Sequence, residues 1–268
     1  GQDVPAARAG EKRGIATLPR QTDGKLVWVH AASVGESLSV LALITRMGIM
    51  LPDAQFLITS GTATSAKLVA QRLPPRSVHQ FAPLDAPGPL KRFLSHWRPD
   101  AAIFVESEIW PQMLRRTHAT GAPMALVNAR MSDKTVDFWE KWPRTARYLF
   151  DVFALILTQN DAMARNMIRM HAPADRVSRG VNLKSMAGPL PVDDKALARG
   201  TAALDGRPVW VASSTHEGEE RTVLATHRKL LRDLPDLCLI LAPRHPERGD
   251  AIEALAHDAG LTVQRRSR

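Results

Sequence analysis

The sequence predicts an α/β protein built from two Rossmann-like, parallel-sheet domains, the second present only in its first part. Three observations carry this. Short apolar runs alternate with longer amphipathic stretches, the order expected of strands joined by helices. The runs are continuously apolar, as in strands buried on both faces. A break rich in proline and acid near residue 186 is followed by a second, shorter copy of the pattern. With 268 residues, 44% hydrophobic and 24% charged, the chain has material for one large or two medium cores.

Residues 1–24 are polar, basic and glycine-containing, and read as a tail ahead of the fold. Strands are expected at 27–30, 55–59, 101–105, 124–127 and 155–158, with helices at 64–72, 89–96, 110–117 and 161–170. These define a first domain, 25–186. Residues 185–194 hold two prolines, a glycine and two acidic residues, and read as the linker. The second domain, 187–268, then offers strand 209–212, helix 217–232, strand 237–242, helix 246–259 and a last apolar segment, 261–264.

Charge narrows the partners. Thirty-six Lys and Arg against 27 Asp and Glu leave +9, which favours anionic ligands or an anionic membrane face. The basic residues are dispersed and aromatics are only 5% of the chain, so no nucleic-acid partner is expected. No apolar run approaches the roughly 20 residues of a membrane span. The single cysteine, Cys238, cannot close an internal disulfide and falls in an apolar run, so it is expected as a buried strand residue in a reducing compartment.

The most informative stretch is 27–36, Val-Trp-Val-His-Ala-Ala-Ser-Val-Gly-Glu. It reads as a buried strand, a tight turn and a helix start carrying Glu36. Ligands of open α/β sheets collect at such strand ends, where a carboxylate of raised pKa can take a hydroxyl proton. The other reading is that Glu36 simply complements the positive end of its helix. Three other strings fail as sites. Residues 61–68 approach a P-loop but lack its second glycine and the hydroxyl after Lys67; no G-x-G-x-x-G follows a strand; His216-Glu217 has no second histidine one turn on.

Further candidates lie at later strand ends. Thr59 and Thr62 flank Ser60-Gly61 and offer donors to a sugar or anion, or else cap the next helix. Glu106 and Glu108 should point to one side if the chain stays extended, and Trp110 is expected in the core. Arg130 suits a phosphate or carboxylate, or an ion pair with Asp133 or Asp137. Ser214-x-x-Glu217 has the spacing of a capping box, which leaves His216, Arg244 and His245 for an anion site beside a helix start.

Taken in order, Ser33-Val34-Gly35-Glu36, Glu106 to Pro111, Val127 to Ser132, Asn182-Leu183-Lys184, Ser213 to Glu220 and Pro243 to Arg248 resemble the 3-deoxy-D-manno-octulosonic acid (Kdo) transferases of lipopolysaccharide assembly. The resemblance spans nearly the whole chain. One departure is Val181, which interrupts the family's G-N-L-K between Gly180 and Asn182 and leaves the placement of Lys184 open. The resemblance implies a GT-B glycosyltransferase that moves Kdo from CMP-Kdo to a lipid A precursor, inverting the sugar centre without metal or cofactor. It implies a catalytic Glu36; acceptor contacts at Ser33, Gly35, Thr59, Thr62, Glu108, Asn128 and Arg130; and donor contacts at Lys184, Ser214, Thr215, His216, Arg244 and His245. It also implies work at the cytoplasmic face of the bacterial inner membrane, beside an N-terminal anchor that precedes the matched region. A glycine-rich donor segment of the family, beyond the second half-domain, has no counterpart here. Other GT-B sugar-nucleotide enzymes, an epimerase, or a non-catalytic anion- or nucleic-acid-binding fragment are the competing readings.

Overall fold

The computed structural model describes residues 4–21, 24–180, 182–186 and 192–266. The chain divides into two compact units, Gly1–Gly188 and Pro189–Arg268. In the first, β1 (Leu26–His30), β2 (Gln55–Ser60), β3 (Ser77–Phe81), β4 (Ala101–Val105), β5 (Met124–Ala129), β6 (Leu155–Thr158) and β7 (Val177–Arg179) form one parallel sheet. Its order is β3-β2-β1-β4-β5-β6-β7, a doubly wound arrangement that reverses direction between β1 and β4. The helices are α1 (Val34–Met50), α2 (Ala63–Ala70), α3 (Pro87–Trp97), α4 (Pro111–His118), α5 (Asp133–Glu140), α6 (Pro143–Phe150) and α7 (Asp161–Arg169).

All five residues of β1 are buried, which accounts for its unbroken apolar run. Alternation splits them between two cores. Trp28 joins Phe93, Trp97, Phe104 and Phe153 on one face, and Val27 and Val29 join Val40, Ile44, Phe56 and Ile58 on the other. Each fully buried large side chain contributes roughly 1.5–3 kcal/mol, so the sheet's middle is its firmest part.

The structure adds elements that periodicity did not reveal: edge strands β3 and β7, and helices α5 and α6. It also corrects the reading of residues 1–24 as a tail. Two single-turn 3-10 helices, Ala6–Arg8 and Glu11–Arg13, lie against the β3 edge. Glu11 is wholly enclosed and accepts from Arg8 through both oxygens at 2.8 Å, from the Thr17 hydroxyl and from the Phe81 amide at 2.7 Å. Gly14 has φ +79°, and a Cβ there would meet the Pro89 carbonyl oxygen at 1.9 Å, so the segment seats only with glycine at that turn.

The second unit holds α8 (Asp194–Leu204), β8 (Val209–Thr215), α9 (Glu219–Leu230), β9 (Cys238–Pro243) and α10 (Gly249–Asp258). β8 and β9 pair in parallel from Val209 opposite Cys238 to Thr215 opposite Pro243. Residues 261–264 join no strand, and Cys238 is half-buried where full burial was expected.

Candidate active site

The reversal between β1 and β4 brings two strand ends together. From β1 the chain runs through Ala31 and Ala32 into α1; from β4 it turns through Glu106 to Glu108. Ser33 caps α1 by accepting from the Glu36 amide at 3.2 Å, and Glu36 returns the contact through Oε2, which accepts from the amides of Ala32 at 2.9 Å and Ser33 at 3.3 Å. Both readings of Glu36 therefore meet in one residue: it closes a capping box, and it stands at the sheet's ligand-binding edge. Ser33 and Gly35 are exposed beside it, and a Cβ on Gly35 would touch nothing within 4 Å. The space above the turn is open.

Three carboxylates share this place, with Glu36, Glu106 and Glu108 only 9%, 9% and 8% exposed. Burial, then the negative charges of Glu108 and Glu106, push the Glu36 carboxyl above its ordinary range, and contacts from Ser33 only partly oppose them. Burial would also raise Glu108, but hydrogen bonding and charge from His30, with a hydrogen bond from Trp110, outweigh it and hold Glu108 low. Two of these groups thus differ: Glu108 is stabilised as an anion, and Glu36 is given a raised proton affinity.

A buried relay fixes Glu108. Trp28 Nε1 donates to Thr59 Oγ1 at 2.8 Å, Thr59 Oγ1 lies 2.9 Å from His30 Nδ1, and His30 Nε2 lies 3.2 Å from Glu108 Oε2. With an anionic carboxylate at Nε2, that nitrogen carries the hydrogen and donates. On Glu108's other side, Trp110 Nε1 donates to the same oxygen. Trp110 is 43% exposed, which corrects its expected place in the core; its indole holds the rim of the site. Thr59 is fully enclosed and its hydroxyl engages Trp28 and His30, so it positions the relay and does not face a ligand. His30 and Trp28 were missed because in the sequence they read only as strand filling.

Glu106 does not continue an extended chain: its φ is +56°, and Asn128 matches it at +55°. Asn128 is buried, donates to Glu106 Oε1 at 3.2 Å and accepts from the Leu183 amide at 3.2 Å. It is a tie between β4, β5 and the turn Leu183–Met186, which contains Lys184. Val181 lies outside the described residues. Thr62 caps α2, accepting from the Ser65 amide at 3.1 Å. Arg130 is exposed and forms no ion pair with Asp133 or Asp137 among the described residues; Asp137 pairs with Arg169 instead.

In the second unit, Thr215, His216, Arg244 and His245 meet where β8 and β9 end. The Arg244 amide donates to the Thr215 carbonyl at 3.0 Å, and the His216 and His245 rings lie edge to face with centroids 6.2 Å apart. Arg244 is exposed. Buried Glu220 accepts from the Thr215 hydroxyl at 2.9 Å and from Arg248 at 2.7 and 3.2 Å. The capping box expected at Ser214 and Glu217 is absent. α9 begins later, at Glu219 after Gly218, and Glu219 Oε2 accepts from the His216 amide at 2.7 Å. Ser214 instead takes φ +59° at an irregularity in the β8–β9 register. No group of three or more His, Cys, Asp or Glu suited to hold a metal ion occurs among the described residues.

A doubly wound sheet with an acidic strand-end site, followed in the chain by a second parallel unit, defines an α/β protein of the GT-B type. Its fold resembles that of the UDP-GlcNAc 2-epimerase of Neisseria meningitidis, at TM-score 0.60 and 13% identity over 87% of this chain and 69% of that one. It also resembles a glycosyltransferase of Rickettsia africae, at 0.56 and 12% over 90% and 66%. The family model described as 3-deoxy-D-manno-octulosonic-acid transferase (kdotransferase) matches residues 7–187, and the chain belongs to that family. It is 37% identical over 241 residues to the 3-deoxy-D-manno-octulosonic acid transferase of Rickettsia felis, covering 89% of this chain and 51% of that protein. The probable mitochondrial 3-deoxy-D-manno-octulosonic acid transferase of Arabidopsis thaliana is 33% identical over 250 residues, with 91% and 56% covered. The chain therefore spans about half the length of the curated relatives it matches.

Proposed function

We propose that the whole protein transfers Kdo from CMP-Kdo to a hydroxyl of a lipid A precursor, with inversion, and that Glu36 is the general base. The observation that carries this is a buried carboxylate of raised proton affinity at the sheet's reversal point, with open space above Gly35. The acceptor oxygen bonds to the sugar's anomeric carbon as the bond to the CMP phosphate breaks, and the hydroxyl proton passes to Glu36. Exposed Ser33 and Arg130, with the Glu108 carboxylate, supply acceptor contacts. Arg244 supplies positive charge, and His216 and His245 supply donors, for the departing phosphate, the role that electrostatic preorganisation gives such groups. Family membership and net charge also support an anionic membrane as the place of work.

The test is a protein of the relatives' length, incubated with CMP-Kdo or UDP-sugars and a lipid A precursor and followed by mass spectrometry. A mass increase of one or more Kdo, only with CMP-Kdo, is expected; turnover of UDP-sugars alone would replace this reading with an epimerase or another transferase. Calorimetry of Arg244→Ala should show weakened CMP binding with acceptor binding retained.

A further inference from the structure

One region of the first unit has no part in the chemistry above: helices α5 and α6 and the turn that joins them. Phe138, Trp142 and Tyr148 are 54%, 57% and 55% exposed there. They are not leftovers of a poorly packed helix, because α6 buries Ala146, Leu149 and Phe150 on its other side. Residues 141–148, Lys-Trp-Pro-Arg-Thr-Ala-Arg-Tyr, hold three cations, two aromatics and no carboxylate. Lys141, Arg144 and Arg147 are all exposed. A fourth cation joins from α4, where the Arg115 guanidinium lies 3.9 Å over the Tyr148 ring. The preceding acids are engaged: Asp137 and Glu140 both pair with Arg169, at 3.3 and 2.7 Å. Asp133 and Asp151 stand outside this run, at the start of α5 and the end of α6.

Large rings, of which Trp142 and Tyr148 carry a polar atom, among Arg and Lys match the boundary between acyl chains and anionic headgroups. Binding of single-stranded nucleic acid also uses rings and cations, but along a groove that tracks the strand. These rings instead stand exposed on two short helices and the turn between them. We propose that the α5–α6 corner docks on an anionic phospholipid bilayer, with Phe138, Trp142 and Tyr148 entering the interface and Lys141, Arg144, Arg147 and Arg115 meeting the headgroups. This deepens the membrane partner of the transferase reading, yet binding to vesicles needs neither donor nor turnover, so either reading can fail alone.

The experiment is co-sedimentation of the protein with vesicles of phosphatidylcholine alone or with one quarter phosphatidylglycerol, alongside tryptophan emission. Binding to the anionic vesicles, falling with salt and accompanied by a blue shift, is expected. Arg144→Ala with Arg147→Ala should weaken partitioning roughly 25-fold, from about fivefold per cation. Trp142→Ser should weaken it and remove most of the blue shift. Arg46→Ala with Arg72→Ala, an equal charge change at exposed positions away from this corner, should leave binding unchanged, and circular dichroism confirms that each variant is folded. Equal binding to neutral vesicles, undiminished binding by folded Arg144/Arg147 and Trp142 variants, or patch-dependent capture of an RNA oligonucleotide without vesicle binding would overturn the proposal.

Discussion

Glu36 is pulled in two directions. Capping its own helix favours the anion, whereas burial and the neighbouring Glu108 and Glu106 favour the acid, and the second set prevails. Glu36→Gln should keep the cap, since glutamine serves at that position, but lose the base. Transfer should fall ~10²–10⁴-fold with an unchanged circular dichroism spectrum. Near-normal turnover would remove Glu36 from the chemistry. The pH profile gives a sharper check. A base with a raised pKa gives kcat/KM an acid limb above the ordinary carboxylate range, and the rate rises as pH passes through it. Glu108 is held low and stays ionised across that limb. Glu108→Gln removes a negative neighbour, so Glu36 should lose its proton more readily and the limb should move to lower pH. A limb that stays in place in this variant would mean that another group sets it.

At the scale of elements, the β1–turn–α1 unit was legible because its signals are local: an apolar run, small residues, then Ser33 and Glu36 three apart. The β3 edge was not. Ser77-Val78-His79-Gln80-Phe81 looks polar, yet His79 and Gln80 are buried, with distant groups bonded to the His79 ring and to Gln80 Oε1. Arg8 Nη2 donates to His79 Nδ1 at 3.1 Å, His79 Nε2 lies 2.9 Å from Ser60 Oγ, and Gln80 Oε1 accepts from Trp97 at 2.7 Å. Such partners lie outside any sequence window, so β3 and the N-terminal segment were missed together. Likewise the spacing of Ser214 and Glu217 suggested a cap that the irregular end of β8 displaces. The Arg8, Glu11 and His79 contacts that latch the N-terminal segment to β3 carry a pH prediction. Burial, then the Arg8 charge, lowers His79 from 6.5 to about 4. The folded latch therefore binds fewer protons than the unfolded chain between those values. Its stabilisation is complete above pH ~6.5 and is lost as pH falls towards 4, about 3 kcal/mol in all. For Glu11, burial alone would raise the carboxyl, but Arg8, Thr17 and the Phe81 amide hold it below 4.5; its contribution is lost as pH falls below that value, in the same direction. Hydrogen exchange, corrected for intrinsic rates, should show residues 5–20 and 77–81 opening between pH 7 and pH 4.5, ahead of β1. His79→Gln should flatten the upper part of this dependence; an unchanged profile would remove His79 as its source.

Across the molecule, the two units differ in how much apolar surface they enclose. The first has a seven-stranded sheet with a buried cluster on each face. In the second, only Leu224, Ile252 and Ala256 are buried apolar residues among those described. Trp210 and Ala212 are partly covered and Trp210 Nε1 donates to His227 on α9 at 3.2 Å, but on the alternate positions Val209, Val211 and Ile240 are 38%, 58% and 42% exposed. A two-stranded sheet with one bare face gains too little burial to offset the ordering of some 80 residues, at ~1–2 kcal/mol of backbone entropy each. Residues 1–188 alone should therefore unfold cooperatively, at nearly the urea midpoint of the main transition of the 268-residue chain. Residues 189–268 alone should give no sharp transition and should bind a dye for exposed apolar surface. Neither piece should transfer Kdo, since the proposed base lies in the first and the proposed phosphate-binding side chains in the second. The 268-residue chain is expected to be inactive as well while the β8–β9 face stays bare, and a protein of the relatives' length to be active and to lose the dye signal. A sharp, dye-silent transition for residues 189–268 would show that this unit is already complete, and inactivity of the 268-residue chain would then need a cause other than its uncovered sheet.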